Sequence, residues 1–183
     1  MRGLDGKVAI VTGGATSIGA AIARAFRVAG TKVMIADIAE SAGKALVAEL
    51  GKGARFHHCD ITDDRDIAAC VAATVHAFGG IDFLVNNGCN YVDRRLASSR
   101  ADRVASLNVN VVSGAIFVRE AIPHLRERGG VIVNFSTVAG KHGQRGRALY
   151  PASKAANLQV TRNEAMELAP FKIRVNAVAP GWT

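Results

Sequence analysis

The feature of this sequence that most constrains its fold is a regular alternation between short apolar runs and longer segments of helical periodicity. The run 8–11 is rich in β-branched residues and is followed by glycines, after which Ile18, Ile22 and Phe26 fall on one helical face. The pattern continues with strand-length runs at 32–36, 54–58, 82–85, 131–135 and 172–177, separated by helical segments at 41–50, 64–78, 102–128 and 149–168. Six strands joined by helices predict a parallel sheet with right-handed crossovers.

The strand-length runs are apolar almost throughout, which is typical of strands covered by helices on both faces. The sequence therefore predicts an α/β fold with three layers, α/β/α, built on a doubly wound parallel sheet of the Rossmann type. Ligands bind such sheets at the carboxyl ends of the strands. The 183 residues contain no repeat and no linker, so one domain spanning 1–183 is expected.

The chain is strongly basic, with 23 Lys and Arg against 15 Asp and Glu and a formal net charge of +8. Proteins that bind nucleic acid concentrate such charge in runs or on one face. Here the basic residues are scattered, and the densest segment, 141–147, is short. We interpret this segment as a basic loop that faces an anionic ligand or solvent, and we expect no nucleic-acid partner.

The sequence predicts no membrane span, because no apolar stretch approaches the length of about 18 residues that a span requires. It predicts no secretory signal, because the N-terminus lacks an apolar h-region. Cys59, Cys70 and Cys89 form no CxxC pair, so reduced thiols and a cytoplasmic location are expected. The run 57–60 contains His, Cys and Asp side chains, but consecutive strand residues point to opposite faces and cannot converge on one ion. No metal site is predicted.

A glycine-rich turn, 12–19, lies between the first strand and the first helix. Gly13 and Gly19 allow the backbone to turn tightly and to approach a pyrophosphate without a Cβ in the way. The helix that follows offers unpaired N–H groups and the positive end of its dipole to a phosphate. Because the turn opens a βαβ unit, it indicates dinucleotide binding more strongly than a glycine cluster alone.

Asp37 ends the second strand, 18 residues after Gly19. A carboxylate at this place can accept hydrogen bonds from a ribose diol and would repel a 2′-phosphate. Ile38 follows it, where a 2′-phosphate site would be better served by Arg or Lys. The sequence therefore favours NAD over NADP as cofactor, while a helix-capping role remains the alternative for Asp37.

Tyr150 and Lys154 are four residues apart on a predicted helix, so both project from one face. A tyrosine near its unperturbed pKa of about 10 is a poor acid or base at neutral pH. A lysine ammonium, together with a positively charged nicotinamide, would favour the phenolate and lower the pKa of the phenol. The pair could then exchange a proton with an alcohol or a ketone. By spacing alone, a Tyr/Lys pair on a solvated helix face is the commoner explanation.

Taken together, the motifs resemble those of the short-chain dehydrogenase/reductase family in its classical form, over essentially the whole chain. The resemblance rests on the glycine turn 12–19, Asp60, the motif 86–88, Asn110, the motif 150–154, Asn176 and the pair Pro180 and Gly181. It implies an NAD(H)-dependent oxidoreductase that interconverts a secondary alcohol and a ketone. A homodimer or homotetramer, paired through the helices near 102–128 and 149–168, is also implied.

The resemblance assigns roles to individual residues. Tyr150 would be the general acid/base, Lys154 would bind the nicotinamide ribose, and Asn110 would hold a water that relays protons from Lys154. Asp60 and Ile61 would meet the adenine. The residues implied to contact the cofactor are Gly13, Thr16, Ser17, Ile18, Gly19, Asp37, Asp60, Ile61, Asn87, Gly88, Tyr150, Lys154, Pro180 and Gly181.

Three positions depart from the family pattern. Ser17 replaces a glycine of the turn, and we expect its small hydroxyl side chain to alter cofactor binding without abolishing it. Cys89 follows Gly88 near the expected cofactor and is interpreted as a small packing residue. Thr137 stands 13 residues before Tyr150, where the family carries its catalytic serine. Our hypothesis is that Thr137 polarises the substrate oxygen, with its neighbour Ser136 as the fallback.

Members of this family continue for several tens of residues beyond the sixth strand, so either this chain is truncated or the protein lacks the usual C-terminal strand and helix. Two other functions stay open. One is a 3-oxoacyl-thioester reductase of the same family, against which Asp37 argues because such enzymes usually prefer NADPH. The other is a dinucleotide-sensing or scaffold protein that has kept the fold and lost turnover.

Overall fold

The structure, a computed structural model that describes residues 3–181, contains six β-strands alternating with α-helices. The strands are β1 (Val8–Thr12), β2 (Lys32–Asp37), β3 (Ala54–His58), β4 (Phe83–Asn86), β5 (Val131–Phe135) and β6 (Arg174–Val178). The helices are α1 (Ser17–Val28), α2 (Glu40–Leu50), α3 (Asp64–Phe78), α4 (Arg100–Leu107), α5 (Ser113–Arg126) and α6 (Leu149–Leu168).

The six strands form one parallel sheet in the order β3-β2-β1-β4-β5-β6. The chain moves outward from β1 to β3 and then returns across β1 to build the other half. The direction of winding therefore reverses between β1 and β4, where a crevice opens at the carboxyl ends of the strands. This order confirms the predicted doubly wound sheet.

Alternate residues of each strand enter two different cores, one on either face of the sheet. Ile10 on β1 packs with Leu84, Ile132 and Phe117 in the core beneath α3 and α5. Its neighbour Val11 points the opposite way and packs in the core beneath α1 and α2. All of these side chains are nearly inaccessible to solvent, and each such burial contributes about 1.5–3 kcal/mol.

The predicted helix 102–128 is correct in type but wrong in detail. It begins at Arg100, because Ser99 and Asp102 form a reciprocal capping box, and it ends at Arg126. A π-helical turn, Asn108–Val112, separates α4 from α5 and inserts an extra residue into the helical path. Hydrophobic periodicity alone does not reveal such a turn.

Two strand starts also differ from the prediction. Asp82 precedes β4 instead of opening it, and its buried carboxylate accepts hydrogen bonds from Lys7, Arg128 and the Val8 N–H. Lys172 has a left-handed backbone with φ of +60°, so β6 begins only at Arg174. Among the described residues, no helix is long and apolar enough to span a membrane.

Candidate active site

A cavity of about 410 Å³ opens at the carboxyl ends of the strands, around the point where the winding reverses. The sequence-predicted residues that line it are Gly13, Thr16, Ser17, Ile18, Gly19, Asp37, Asp60, Ile61, Asn87 and Gly88. The structure thus brings together residues that are up to 75 positions apart in the chain (13 to 88). We call this space the first cavity.

The glycine turn forms one wall of the first cavity and needs its glycines for close packing. Gly13 has φ of +59°, and a Cβ there would lie 2.8 Å from the Cα of Gly88. A Cβ on Gly19 would collide with the Gly13 carbonyl, and one on Gly88 would lie 2.9 Å from Ile61. Gly13 and Gly19 leave no room for a Cβ because backbone atoms lie against them, so the wall presents N–H groups at close range.

Ser17, one of the three residues that depart from the family pattern, has φ of +47°. This left-handed conformation is costly for a residue with a Cβ and free of cost for glycine. The chain has therefore kept the backbone that a glycine would favour while carrying a serine. The side chain lines the cavity at the first position of α1.

The N-terminus of α1 faces the same cavity, and neither a capping side chain nor an acidic residue of its first turn occupies its N–H groups. Its N-cap residue Thr16 makes no capping hydrogen bond through its side chain, and the first turn contains no acidic residue. Exposed helical N–H groups and the positive end of the helix dipole are therefore available for an anion. A phosphate fits this end of the cavity.

Asn87 and Gly88 hold the glycine turn in place. The Asn87 side-chain amide donates to the carbonyls of Thr12 and Gly13, each at 3.1 Å. In return the Thr12 hydroxyl accepts hydrogen bonds from the backbone N–H groups of Asn87 and Gly88, both at 3.0 Å. These bonds tie β4 to the turn and give Asn87 a structural role besides the predicted cofactor contact.

Asp37 lies at the far side of the turn and accepts two backbone hydrogen bonds, from Ala15 at 2.9 Å and from Ala39 at 3.0 Å. Each bond uses one carboxylate oxygen, and an ionised carboxylate can accept about four hydrogen bonds. The side chain is half-buried and lines the cavity, so acceptor capacity remains for a hydroxyl-bearing ligand. Local bonding to Ala39 agrees with the capping alternative as well.

Asp60 sits at the rim of the first cavity. Its carboxylate accepts hydrogen bonds from the backbone and hydroxyl of Thr62, and these bonds lower its pKa. The neighbouring Ile61 side chain closes the wall against Gly88. Several further lining residues were not predicted to meet the cofactor: Ala36, Ile38, Cys59, Thr62, Cys89, Asn90, Tyr91 and Val109.

A second cavity of about 360 Å³ adjoins the first and contains the hydroxyl-bearing residues Tyr150 and Thr137, with Gly181 at its edge. Tyr91 lines both cavities, so its ring stands at their boundary. The rings of Tyr91 and Tyr150 lie 4.8 Å apart between centroids with an interplanar angle of 30°. Pro180 is adjacent, since its carbonyl accepts a hydrogen bond from Val138.

The two candidate hydroxyls, Ser136 and Thr137, have different environments. Ser136 is buried, and its hydroxyl donates to the carbonyl of Lys154 at 2.8 Å. Thr137 lines the second cavity, and its hydroxyl accepts only a long hydrogen bond, 3.4 Å, from the Ala139 N–H. Only the Thr137 hydroxyl therefore shares a cavity with Tyr150.

Lys154 is 2% exposed and lies beneath Tyr150, with its ammonium nitrogen 5.8 Å from the centre of the phenol ring. The ammonium donates a hydrogen bond to the Phe135 carbonyl at 2.7 Å. Burial lowers the pKa of Lys154, because desolvation disfavours the charged form. The two side chains are thus on one helical face, as the spacing predicted.

The pKa of Tyr150 is raised in this structure, opposite to the direction expected from Lys154 and a nicotinamide. Burial is the main cause, and the neighbouring Tyr91 and Cys89 add to it. The cation that acts to lower the pKa of Tyr150 is Arg147, whose guanidinium lies 5.6 Å from the ring centre. Protein charges alone therefore do not favour the phenolate; a positive charge in the first cavity would add to Arg147.

Asn110 lies in the π-helical turn, and its buried side chain makes four hydrogen bonds, the longest of which, 3.5 Å, is to the Ser106 hydroxyl. The amide donates to the Asn90 carbonyl at 3.1 Å and to the Ser153 hydroxyl at 3.0 Å, and its oxygen accepts from the Asn90 N–H. The Asn110 carbonyl accepts from the Asn157 side chain at 2.7 Å. Asn110 thereby connects the loop after β4 to the helix that carries Lys154.

Sequence reasoning missed the role of Asp93, which lies in the loop between β4 and α4. One carboxylate oxygen accepts hydrogen bonds from three consecutive N–H groups, residues 148–150, at 2.8, 2.8 and 3.2 Å. Asp93 therefore caps α6 from 55 residues away and fixes the position of Tyr150. No local sequence signal could have revealed it, because the cap and the helix are distant in the chain.

The chain matches the family model for short chain dehydrogenases over residues 7–183. It is 40% identical to an L-fucose dehydrogenase from Oryctolagus cuniculus and 38% identical to a galactitol 2-dehydrogenase from Agrobacterium fabrum, in each case over 97% of this chain. It spans 64% of the length of the first of these relatives and 71% of the second.

The solved structures include a 3-ketoacyl-(acyl-carrier-protein) reductase from Brucella melitensis in complex with NADH. It superposes with a TM-score of 0.93 at 32% identity, covering 97% of this chain and 76% of that one. The sheet order, the glycine turn and the Tyr–Lys helix of the present chain agree with these matches. The chain belongs to the short-chain dehydrogenase/reductase family.

Proposed function

We propose that the protein is an NAD(H)-dependent oxidoreductase that interconverts a small secondary alcohol and the corresponding ketone. The observation that carries the proposal is the junction of the two cavities. The first has the glycine-walled, anion-compatible lining that suits a dinucleotide, and the second contains the hydroxyl groups of Tyr150 and Thr137. A substrate bound in the second cavity lies next to whatever occupies the first.

The residues of the first cavity fit a nicotinamide dinucleotide. The backbone at Gly13 and Gly19, with the N-terminus of α1, would hold the pyrophosphate, and Asp60 with Ile61 would border the adenine. The cofactor would supply the hydride acceptor or donor of the reaction. Pro180 and Gly181 would pass beside the nicotinamide.

In the direction of oxidation, the Tyr150 phenolate would take the proton of the substrate hydroxyl as hydride leaves the carbinol carbon. The Thr137 hydroxyl would donate a hydrogen bond to the same oxygen and orient it. Lys154, held 5.8 Å from the ring centre, would bind the nicotinamide ribose. Arg147, together with a positive charge in the first cavity, would favour the phenolate. Reduction of a ketone would reverse each proton movement.

A proton released at Tyr150 must reach solvent, and Asn110 is proposed to hold the water that connects Lys154 to it. The polar contacts around Asn110 support such a path, because Ser153 and Asn157 join it to α6.

The preference for NAD over NADP is proposed from Asp37. Its half-buried carboxylate lies in the cavity wall beside Ile38, so a 2′-phosphate would meet a negative charge without a basic partner. The expected measurement is fluorescence titration with NADH and NADPH. NADH should bind at least about tenfold more tightly, which corresponds to about 1.4 kcal/mol.

The substrate class is supported by the relatives, whose names describe dehydrogenases of L-fucose and galactitol. Activity is tested by following absorbance of the nicotinamide band with a panel of secondary alcohols and NAD⁺. The Tyr150→Phe variant should lose about 10²–10⁴-fold in turnover while it still binds NADH, since a general acid/base contributes that much.

The same assay distinguishes the role of the Thr137 hydroxyl from that of the Ser136 hydroxyl. Thr137→Val keeps the shape of the side chain but removes the hydroxyl, and it should reduce turnover, whereas Thr137→Ser should retain it. Ser136→Ala serves as the matched control, because the Ser136 hydroxyl bonds the Lys154 carbonyl instead of facing the cavity. Full activity in Thr137→Val would contradict the assignment.

A second candidate function is reduction of 3-oxoacyl thioesters, favoured by the likeness to the NADH-bound ketoacyl reductase. Acetoacetyl-coenzyme A with NADH and NADPH distinguishes the two. Faster turnover of the thioester than of any simple alcohol or ketone would select this candidate. Binding of NADH without turnover of any panel member would instead indicate a sensing or scaffold protein.

A further inference from the structure

We propose that the substrate carries a carboxylate and that Arg147 binds this group, so that the protein prefers hydroxy acids to neutral alcohols. The proposal rests on the function proposed above and adds the substrate class. It assigns to Arg147 a role in substrate specificity, separate from its contact with the Tyr150 ring.

Arg147 lies on the wall of the second cavity, beside Tyr150. Its guanidinium carbon is 5.6 Å from the centre of the phenol ring, on a loop segment just before α6. A molecule whose hydroxyl reaches Tyr150 and Thr137 would therefore have its remaining atoms within reach of this cation. Arg147 is itself exposed, and a cation–π contact at an exposed site is weak, so the guanidinium is free to turn towards a ligand.

Arg147 forms no ion pair within residues 3–181. The acidic side chain of the adjoining loop, Asp93, is occupied elsewhere. One of its oxygens caps residues 148–150 and the other accepts from the Arg95 N–H at 2.8 Å. The guanidinium thus faces the cavity with its fork of donors available, and this fork matches a carboxylate in geometry.

The rest of the second cavity is also suited to an anion. The residues of the described chain that line it include no Asp or Glu, while Gln144 and His142 add hydrogen-bonding groups. Val138 and Ala139 supply apolar wall. A short aliphatic hydroxy acid would place its alcohol at Tyr150, its chain along this wall and its carboxylate at Arg147.

The test compares each hydroxy acid with its own carboxamide, which removes the charge and keeps the shape. The probes are 3-hydroxybutanoate, 4-hydroxypentanoate and 5-hydroxyhexanoate, with NAD⁺ and NADP⁺. At least one acid should exceed its amide by about tenfold or more in kcat/KM, as expected for a charge-assisted bidentate bond. In Arg147→Gln the ratio should fall towards 1, and Arg147→Lys should restore part of it.

Arg145→Gln is the matched control, because Arg145 is exposed on the same loop and does not line the cavity. It removes the same charge from the segment and should leave the acid-to-amide ratio unchanged. An equal effect of the two substitutions would show general electrostatic attraction and would overturn the proposal. Equal use of acid and amide by the unaltered protein would overturn it as well.

Failure of the proposed function is distinguishable from failure of this inference. If neutral secondary alcohols are oxidised and the hydroxy acids are not, the function stands and the role of Arg147 is wrong. If neither neutral alcohols nor hydroxy acids are oxidised, the role of Arg147 is tested without turnover, by calorimetric titration of NADH-loaded protein with 4-oxopentanoate and with 4-oxopentanamide. Tighter binding of the acid, lost in Arg147→Gln, supports the inference, and equal binding contradicts it.

Discussion

At the scale of single residues, the site combines positions that the sequence reveals with others that only the fold reveals. Tyr150 and Lys154 could be predicted because their relation is local to one helix. The difference between Ser136 and Thr137 could not, because it depends on a bond from Ser136 to a carbonyl on another element. The raised pKa of Tyr150 could not be predicted from the sequence either, since its main cause is burial of the side chain in the folded protein.

The strained backbone at Ser17 leads to a prediction about stability. Ser17 has φ of +47°, and Ser17→Gly should raise the free energy of unfolding by up to about 1 kcal/mol. The strain relieved by glycine in this left-handed conformation should exceed the stability lost because glycine adds conformational entropy to the unfolded chain. For a chain of this length, the midpoint of thermal unfolding should rise by about 2–4 °C.

The control is Ser41→Gly on the exposed first turn of α2, where the backbone is helical. Glycine there should lower the free energy of unfolding by about 0.5–1 kcal/mol. The helical backbone has no strain for glycine to relieve, and glycine loses more conformational entropy on folding than serine does. Opposite signs for the two serine-to-glycine substitutions are the expected result. A loss of stability in both would mean that Ser17 makes a compensating contact.

At the scale of elements, the sequence predicts the type and the bounds of those helices and strands that hydrophobic periodicity marks out. Strand β5 and helices α3 and α6 have the predicted bounds, because each is bounded by clear breaks such as the glycines at 79–80 and 129–130. The π-helical turn before α5 was not predictable, since one inserted residue hardly disturbs an apolar pattern. Its consequence is specific: it lies where Asn110 turns inward to Asn90 and Ser153.

The long-range cap of α6 by Asp93 gives a prediction with a defined pH dependence. Although burial raises the pKa of Asp93, the four backbone hydrogen bonds outweigh it and the net shift is downward. The carboxylate therefore contributes stability above its unfolded pKa of about 3.9, and this contribution is lost as pH falls through the folded pKa. Asp93→Ala should lower stability by about 1 kcal/mol at pH 7.

The difference between Asp93→Ala and the unaltered protein should shrink in urea unfolding at progressively acidic pH. Glu127→Ala, which removes an exposed carboxylate near the end of α5, is the control. It should change the free energy of unfolding by less than about 0.5 kcal/mol, both at pH 7 and at acidic pH. A loss for Asp93→Ala that stays constant with pH would contradict the charged-cap explanation. Turnover should also fall in Asp93→Ala, because the cap positions Tyr150.

At the scale of the whole molecule, the resemblance implies a homodimer or homotetramer, and the surface supports this proposal. Val104 and Leu107 on α4 are 60% and 44% exposed, and Val112 is 46% exposed at the end of the π-helical turn. Met166 on α6 is 78% exposed. Apolar side chains repeated along one pair of helices indicate a surface that another copy of the chain could cover.

Leu107→Glu tests this proposal, because a charge in a buried apolar interface has no partner and blocks association. Light scattering coupled to size exclusion should show an oligomer for the unaltered protein and a smaller species for the variant. Val28→Glu is the control, since Val28 is 91% exposed on α1 and lies outside the proposed surface. An oligomer that withstands Leu107→Glu would place the interface on another part of the molecule, and a monomeric unaltered protein would refute the proposal.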